Sequence, residues 1–279
     1  MFRATTLAMG IALAFGVSAN AFATTISYTD FSSTAGLQLN GNTATAIDDS
    51  ARNVLRVTPS TLGQSGSAFS TSAVTLGANV SFSTKFSFNF NHPLNGGADG
   101  LVFVVQTVSN TAGGAGGGIG YSGLLKSVGV EFDNWNNGGI DGNSDNHVGI
   151  DLNGNVNSAA INTTLPVFLD TGKDLFSWID YNGATDLLEV RLSDVNSRPA
   201  SSLLSYTVDL ATILGTPNAF VGFTSGTGAA AANHDVISWE FRDTFAPVDV
   251  PPNGVPEPIS LMLVGAGLVS MVATRRRRR

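Results

Sequence analysis

Between Glu131 and His147, seventeen residues carry Glu131, Asp133, Asp141, Asp145 and His147 together with Asn134, Asn136 and Asn137. Only 13% of the chain is charged, so the concentration is local. Hard cations such as calcium need several oxygen ligands, whereas a borderline transition ion accepts carboxylates plus one imidazole nitrogen. The segment offers both donor sets. Alternation along Ser127–Asp133 puts Glu131, Asp133 and Trp135 on one face and Phe132 on the other. After the loop, His147–Asp151 resumes an extended pattern that can return the imidazole to the two acids. Taken alone, a loop rich in Asp, Asn and Gly is more often a solvated turn. Glu131 and His147 at its two ends argue for a cation site instead. Asp141-Gly142-Asn143-Ser144-Asp145 also imitates the start of an EF-hand loop. Its sixth position is Asn146 in place of glycine and its twelfth Leu152 in place of glutamate, and no flanking helices are visible, which excludes that reading.

The elements that must position this segment lie between two ends of different character. Residues 1–23 carry one early charge, Arg3, an apolar run from Leu7 to Val17, and the small-residue pattern Ala21-Phe22-Ala23, the build of a cleaved secretory signal peptide. At the other end Val255-Pro256-Glu257-Pro258 precedes an apolar run from Ile259 to Ala273 and five arginines, Arg275 to Arg279. Such a run is short for a bilayer, where roughly 20 residues are usual, and the arginines would stay cytoplasmic. This end resembles the PEP-CTERM sorting signal of Gram-negative bacteria. The resemblance implies transient inner-membrane anchoring, processing by an exosortase-type enzyme, and delivery to the cell surface, outer envelope or extracellular matrix.

Six of the 14 basic residues and one of the 21 acidic ones lie in these ends, leaving the body eight basic against twenty acidic residues. Such a surface repels nucleic acid and attracts cations. With no cysteine, an exported fold must rely on its core and on bound metal. Helical periodicity is almost absent; only Leu210–Leu214 reads as a helical turn. Short alternating runs recur instead. From Val80 to Phe90, Phe82, Phe86, Phe88 and Phe90 alternate with Ser81, Lys85, Ser87 and Asn89. Leu101–Val105 is continuously apolar, as in a strand buried on both faces. Further strands are expected at Val54–Val57, Phe176–Tyr181, Leu187–Leu192, Leu204–Val208, Ala219–Thr224 and Val236–Phe241, with a hairpin turn in the run Asp180–Thr185. The pattern predicts one all-β sandwich or barrel. The expected divisions are a signal peptide at 1–23, a β domain at 24–244, an extended and mobile proline-rich linker at 245–254, and a sorting segment at 255–279.

Several signatures in order resemble the legume-type (L-type) lectins, especially bacterial ones. They are Gly97-Ala98-Asp99-Gly100 before an apolar strand, the glycine run Gly116-Gly117-Gly118, the segment from Glu131 to Asp151, and Val221–Gly228 followed by Ile237-Ser238-Trp239-Glu240-Phe241. The resemblance implies a concanavalin-like jelly-roll sandwich holding calcium and a transition ion, usually manganese. Glu131, Asp133, Asp141 and His147 would bind the transition ion. Asp133, the Trp135 backbone oxygen, Asn137 and Asp141 would bind calcium, with Asp145 as the alternative to Asp141. The implied carbohydrate site comprises Asp99, Gly117, Trp135 and Asn137, with Thr227 and Gly228 from a loop at 225–234, and the Ala98–Asp99 peptide would be cis. The expectation is a metal-dependent lectin and not an enzyme. A glycoside hydrolase on the same fold would need a second carboxylate where Asn136 stands, and a purely structural matrix protein would need no sugar site. His92 and His234 are expected at the surface or in loops, and Trp178 and Trp239 in the core.

Overall fold

The computed structural model describes residues 25–111 and 116–249, so the expected signal peptide and sorting segment lie outside the described residues. In chain order the strands begin with β1 Thr25–Tyr28, β2 Leu37–Gly41, β3 Ala44–Ile47, β4 Asn53–Thr58, β5 Ser65–Ser70 and β6 Val74–Thr75. Next come β7 Phe82–Leu94, β8 Gly100–Gln106, β9 Ser127–Asp133, β10 His147–Leu152 and β11 Asn155–Asn162. The last are β12 Leu175–Asn182, β13 Leu187–Ser193, β14 Leu204–Thr207, β15 Asn218–Gly226 and β16 Ala231–Arg242. One short helix, α1 Leu210–Leu214, starts where the Asp209 side chain accepts the Thr212 N–H and stops at left-handed Gly215.

All pairings are antiparallel, in two sheets. One runs β14-β13-β12-β7-β16-β4-β3, with β1 also on β16; the other runs β11-β10-β9-β8-β15-β5-β2, with β6 on β15. The alternation read in β7 sends Phe82, Phe86, Phe88 and Phe90 into the space between the sheets. There Phe86 meets Phe132 and Phe223 edge-on at centroid distances of 5.7 and 5.1 Å. Each such pair adds about 0.5–1.5 kcal/mol beyond the area it buries. The continuously apolar β8 has two cores to fill. Leu101, Phe103 and Val105 enter the sandwich, while Val102 and Val104 meet Phe69, Ile119, Tyr121 and Leu124 in a smaller cluster on the sheet's other side. That second cluster seats the glycine-rich segment 116–124 over β8.

Three expectations need correction, and a fourth, that for Trp178, holds with a qualification. His234 is fully buried on β16, its ring edge-on to Phe90 at 4.6 Å. Trp178 is buried, but on the outer face of its sheet, opposite the sandwich core: it is the register partner of Lys85, whose ammonium stands 5.3 Å above its ring. The chain past 244 is not a free linker as far as Asp249. Ala246 N–H donates to Ser83, Val248 is buried, and Asp249 takes both the Lys85 ammonium and the Trp178 indole N–H. The loop expected at 225–234 is reduced to 227–230, because β15 and β16 extend into it. Among the described residues no helix is long and apolar enough to cross a membrane.

Candidate functional site

Antiparallel register sets the centre. Asp133 is opposite His147 and Glu131 opposite Gly149, so the two acids and the imidazole project from one face of the β9–β10 pair. All three are buried, and their ligand atoms lie within 4.8 Å of one another. His147 Nε2 is 3.5 Å from Glu131 Oε1. Gly149 keeps the face open, since a Cβ there would stand 2.3 Å from Glu131 Oε1. Ser158 Oγ on β11 donates to that same oxygen at 2.6 Å.

The connecting loop folds back on itself. A 3-10 turn over Gly138–Asp141 ends at left-handed Gly142 and brings the Asp141 carboxylate inward, where it accepts the Asn137 N–H. Asp133 accepts the Trp135 N–H at 2.6 Å. Asn146 ties the far end down, donating to Val167 O and accepting from Leu169 N–H. Asp141 is buried while Asp145 is exposed.

Above this centre stands the Ala98–Asp99 peptide, which is cis. Asp99 is only 3% exposed and its Oδ2 has no hydrogen-bond partner. Gly228 and Gly117 border it and its neighbour. A Cβ on Gly228 would sit 3.4 Å from Asp99 Oδ2, and one on Gly117 would sit 3.0 Å from Asn137 Nδ2. Two glycines thus leave a recess over one carboxylate and one carboxamide, with half-buried Trp135 following the same strand. Thr227 departs from the expected sugar contact. It is fully buried, and its hydroxyl donates to Thr61 O and accepts the Gln64 N–H.

Electrostatics tests whether cations fit. Asp99, Glu131, Asp133, Asp141 and Asp151 are all buried, and among the described residues no lysine or arginine pairs with any of them. Burial, and next the charge of Asp141, pushes Asp99 up to about 6. Burial and Glu131 drive Asp133 well above the usual carboxylate range. Asp151 is pushed up to about 9 by burial and by Glu131. Both ring nitrogens of His147 are buried without a hydrogen-bond partner. Desolvated anions this dense cost several kcal/mol each unless a cation offsets them. The donor set of Glu131, Asp133 and His147, carboxylates plus one imidazole, fits a metal ion.

Two participants escaped the sequence reading, and a third, Asn134, enters it only as one of the loop's carboxamides. Asp151 shares the Glu131 side of β10, which its place two residues past Gly149 could have indicated. Ser158 came from a polar strand without an apolar alternation. Asn134, buried with neither side-chain atom partnered, is the nearest neighbour of a Cβ built on Gly97, at 3.1 Å from its Nδ2.

Residues 23–254 match the legume lectin domain, and residues 254–278 match the PEP-CTERM protein-sorting motif. The chain is similar to the L-type lectin-domain containing receptor kinase VIII.1 of Arabidopsis thaliana, 36% identical over 174 residues, covering 60% of this chain and 24% of the kinase. It is also similar to the bark lectin of Styphnolobium japonicum, 36% identical over 182 residues, covering 61% of this chain and 64% of the lectin. The chain therefore spans about a quarter of the kinase's length and just under two thirds of the bark lectin's. In fold it is similar to a lectin from Bauhinia forficata in complex with GalNAc, with a TM-score of 0.67 at 22% identity, covering 79% of this chain and 97% of that one.

Proposed function

The chain belongs to the legume lectin family, and from that premise we propose that it is an exported, metal-dependent carbohydrate-binding protein without catalytic activity. One observation carries the reading: a buried, partnerless Asp99 oxygen lies under a recess kept open by Gly228 and Gly117, directly beside a carboxylate–imidazole cluster. Asp99 accepts hydrogen bonds from two saccharide hydroxyls. Asn137 donates its amide to the sugar, a backbone N–H at Gly117 joins it, and Trp135 offers an aromatic face to the apolar side of the ring. Glu131, Asp133, Asp141 and His147 would hold the transition ion, best read as manganese. Asp133, the Trp135 backbone oxygen, Asn137 and Asp141 would hold calcium. When bound, the ions supply the positive charge that keeps these acids ionised and the loop 134–146 in place. The chain's own residues orient the sugar.

The PEP-CTERM match supports export; transient anchoring, exosortase-type processing and residence at the cell surface or in the matrix are part of the same proposal. A hydrolase would need a second proton-transferring group, and Asn136 cannot be one. The deciding experiment is binding to a glycan array with and without chelator, together with analysis for released oligosaccharides. Chelator-sensitive binding without hydrolysis is expected. Released sugar would establish a hydrolase, and an absence of binding would leave a scaffold.

A further inference from the structure

A line of hydroxyl groups crosses the interior from one sheet to the other and ends on the Asp99 turn. His234 on β16 places Nδ1 2.8 Å from Thr58 Oγ1 on β4. Thr58 Oγ1 is 2.7 Å from Ser225 Oγ on β15, in the facing sheet. Ser225 Oγ is 2.6 Å from the carbonyl oxygen of Gly100, the residue after Asp99. All three side chains are fully buried.

Elementary chemistry fixes the direction of this chain. A carbonyl oxygen only accepts, so the Ser225 proton goes to Gly100. Serine has no second proton, so Thr58 must donate to Ser225. Thr58 then has none left for the imidazole, and His234 must donate from Nδ1. The line therefore requires the Nδ1–H tautomer. His234 Nε2, which has no partner, is left as a bare lone pair. Burial lowers the imidazole's pKa to about 3, so the ring is neutral at ordinary pH.

The far end of the line meets a crowded turn. Gly100 has φ +152°, and a Cβ there would stand 2.4 Å from Phe132 O. Asp99 N–H donates to Gly226 O at 3.1 Å, and Asp99 O accepts the Asn134 N–H at 3.2 Å. The Ser225 hydroxyl adds a third tie, which reaches the turn from the core. Apolar side chains of the same shape could fill this interior about as stably, so stability alone gives no reason for three aligned polar groups among phenylalanines. We propose that His234, Thr58 and Ser225 form a one-directional strut that positions the Gly100 carbonyl, and through it the Asp99 carboxylate, for saccharide binding. They are positioning residues, and none touches the sugar.

The inference rests on the saccharide reading above, so the test separates the two. In the full-length protein, Thr58→Val and Ser225→Ala break the strut, and Thr58→Ser keeps it. Nitrogen-15 spectra of labelled histidine report the tautomer. Calorimetry with N-acetylgalactosamine, galactose and L-fucose, at saturating calcium and manganese, reports binding, and hydrogen exchange at the Asn134 amide reports the turn. The wild-type protein should show His234 as Nδ1–H, and Thr58→Val should move it towards Nε2–H. For whichever sugar binds, Kd should rise about tenfold in Thr58→Val and Ser225→Ala, the effect of one buried hydrogen bond. Asn134 exchange should quicken, calcium affinity should stay within about twofold, and Thr58→Ser should restore wild-type values. Should Thr58→Val not fold, Ser225→Ala against Thr58→Ser carries the comparison. An Nε2–H tautomer in the wild type, or variants with wild-type Kd and exchange, overturns the strut. If none of the three sugars binds, the saccharide reading loses its support, while tautomer and exchange still decide the strut.

Discussion

Replacing Asp99 by asparagine separates binding from stability, because the same carboxylate should help one and harm the other. Asp99→Asn keeps the shape and removes the charge. Charge-assisted hydrogen bonds contribute about 1.5–3 kcal/mol each. Asparagine keeps one oxygen as a neutral acceptor and turns the other position into an N–H donor, so the charge assistance is lost from both bonds; at about 3 kcal/mol together, this weakens sugar affinity at least about 100-fold. The stability effect has the opposite sign. Burial and the Asp141 charge raise the folded-state pKa from 3.8 to about 6. Between those values the folded protein holds the proton more tightly than the unfolded chain does. The group therefore detracts from stability as pH rises through that window, and does so fully by pH 7. Two units, discounted for solvent screening, amount to about 1–2 kcal/mol. Metal-stripped Asp99→Asn should thus resist denaturant better than wild type at pH 7.5, with the gap closing towards pH 4. Calorimetry with the array-selected glycan and denaturant melts at both pH values measure the two effects. Wild-type sugar affinity, or a variant less stable at pH 7.5, would refute the reasoning.

Other outcomes follow from the same geometry. Asp141→Asn should weaken calcium binding by more than tenfold, whereas exposed Asp145→Asn should leave it within about twofold; titration calorimetry of the metal distinguishes them. His234, held neutral by burial with a pKa of about 3, gives full stability above its unfolded pKa of about 6.5 and loses it as pH falls towards 3. By pH 4.5 the loss is about 2–3 kcal/mol. Denaturant midpoints at pH 7.5 and 4.5 should show it in the wild type, and the difference should shrink by that amount in His234→Gln. Asp249→Ala should loosen the segment over Trp178, seen as greater acrylamide quenching of tryptophan fluorescence, without changing sugar affinity.

Much of this was legible in the chain because two signals are local. Phenylalanine alternation in β7 and the unbroken apolar run of β8 follow from how many faces each strand buries. The acids of β9 and the histidine of β10 could be paired because strand alternation and one loop determine which side they share. What escaped depends on tertiary cover. β11, with its Asn and Ser residues, has no apolar stripe, so neither it nor Ser158 could be anticipated. His234 reads as an isolated polar residue in a loop until β16 is seen to begin at Ala231 and turn it inward. Thr227 lies in a segment that resembles a binding loop, yet its hydroxyl is taken up by Thr61 and Gln64, residues distant in sequence. Trp178 is apolar enough for any core, and only the docked segment 246–249 reveals that it is covered from outside.

The docking of Asp249 beside Lys85 and Trp178 has a practical result for handling the protein. Asp249 is held at the Lys85 end of β7, on the outer face of that strand's sheet, whereas the connections carrying Asp99 and Gly228 leave the opposite end of β7 and β16, where Leu94 pairs with Ala231. A resin, sensor chip or fusion partner joined beyond that aspartate is therefore attached on the side remote from the recess, and immobilisation through the carboxyl end should leave it facing the analyte.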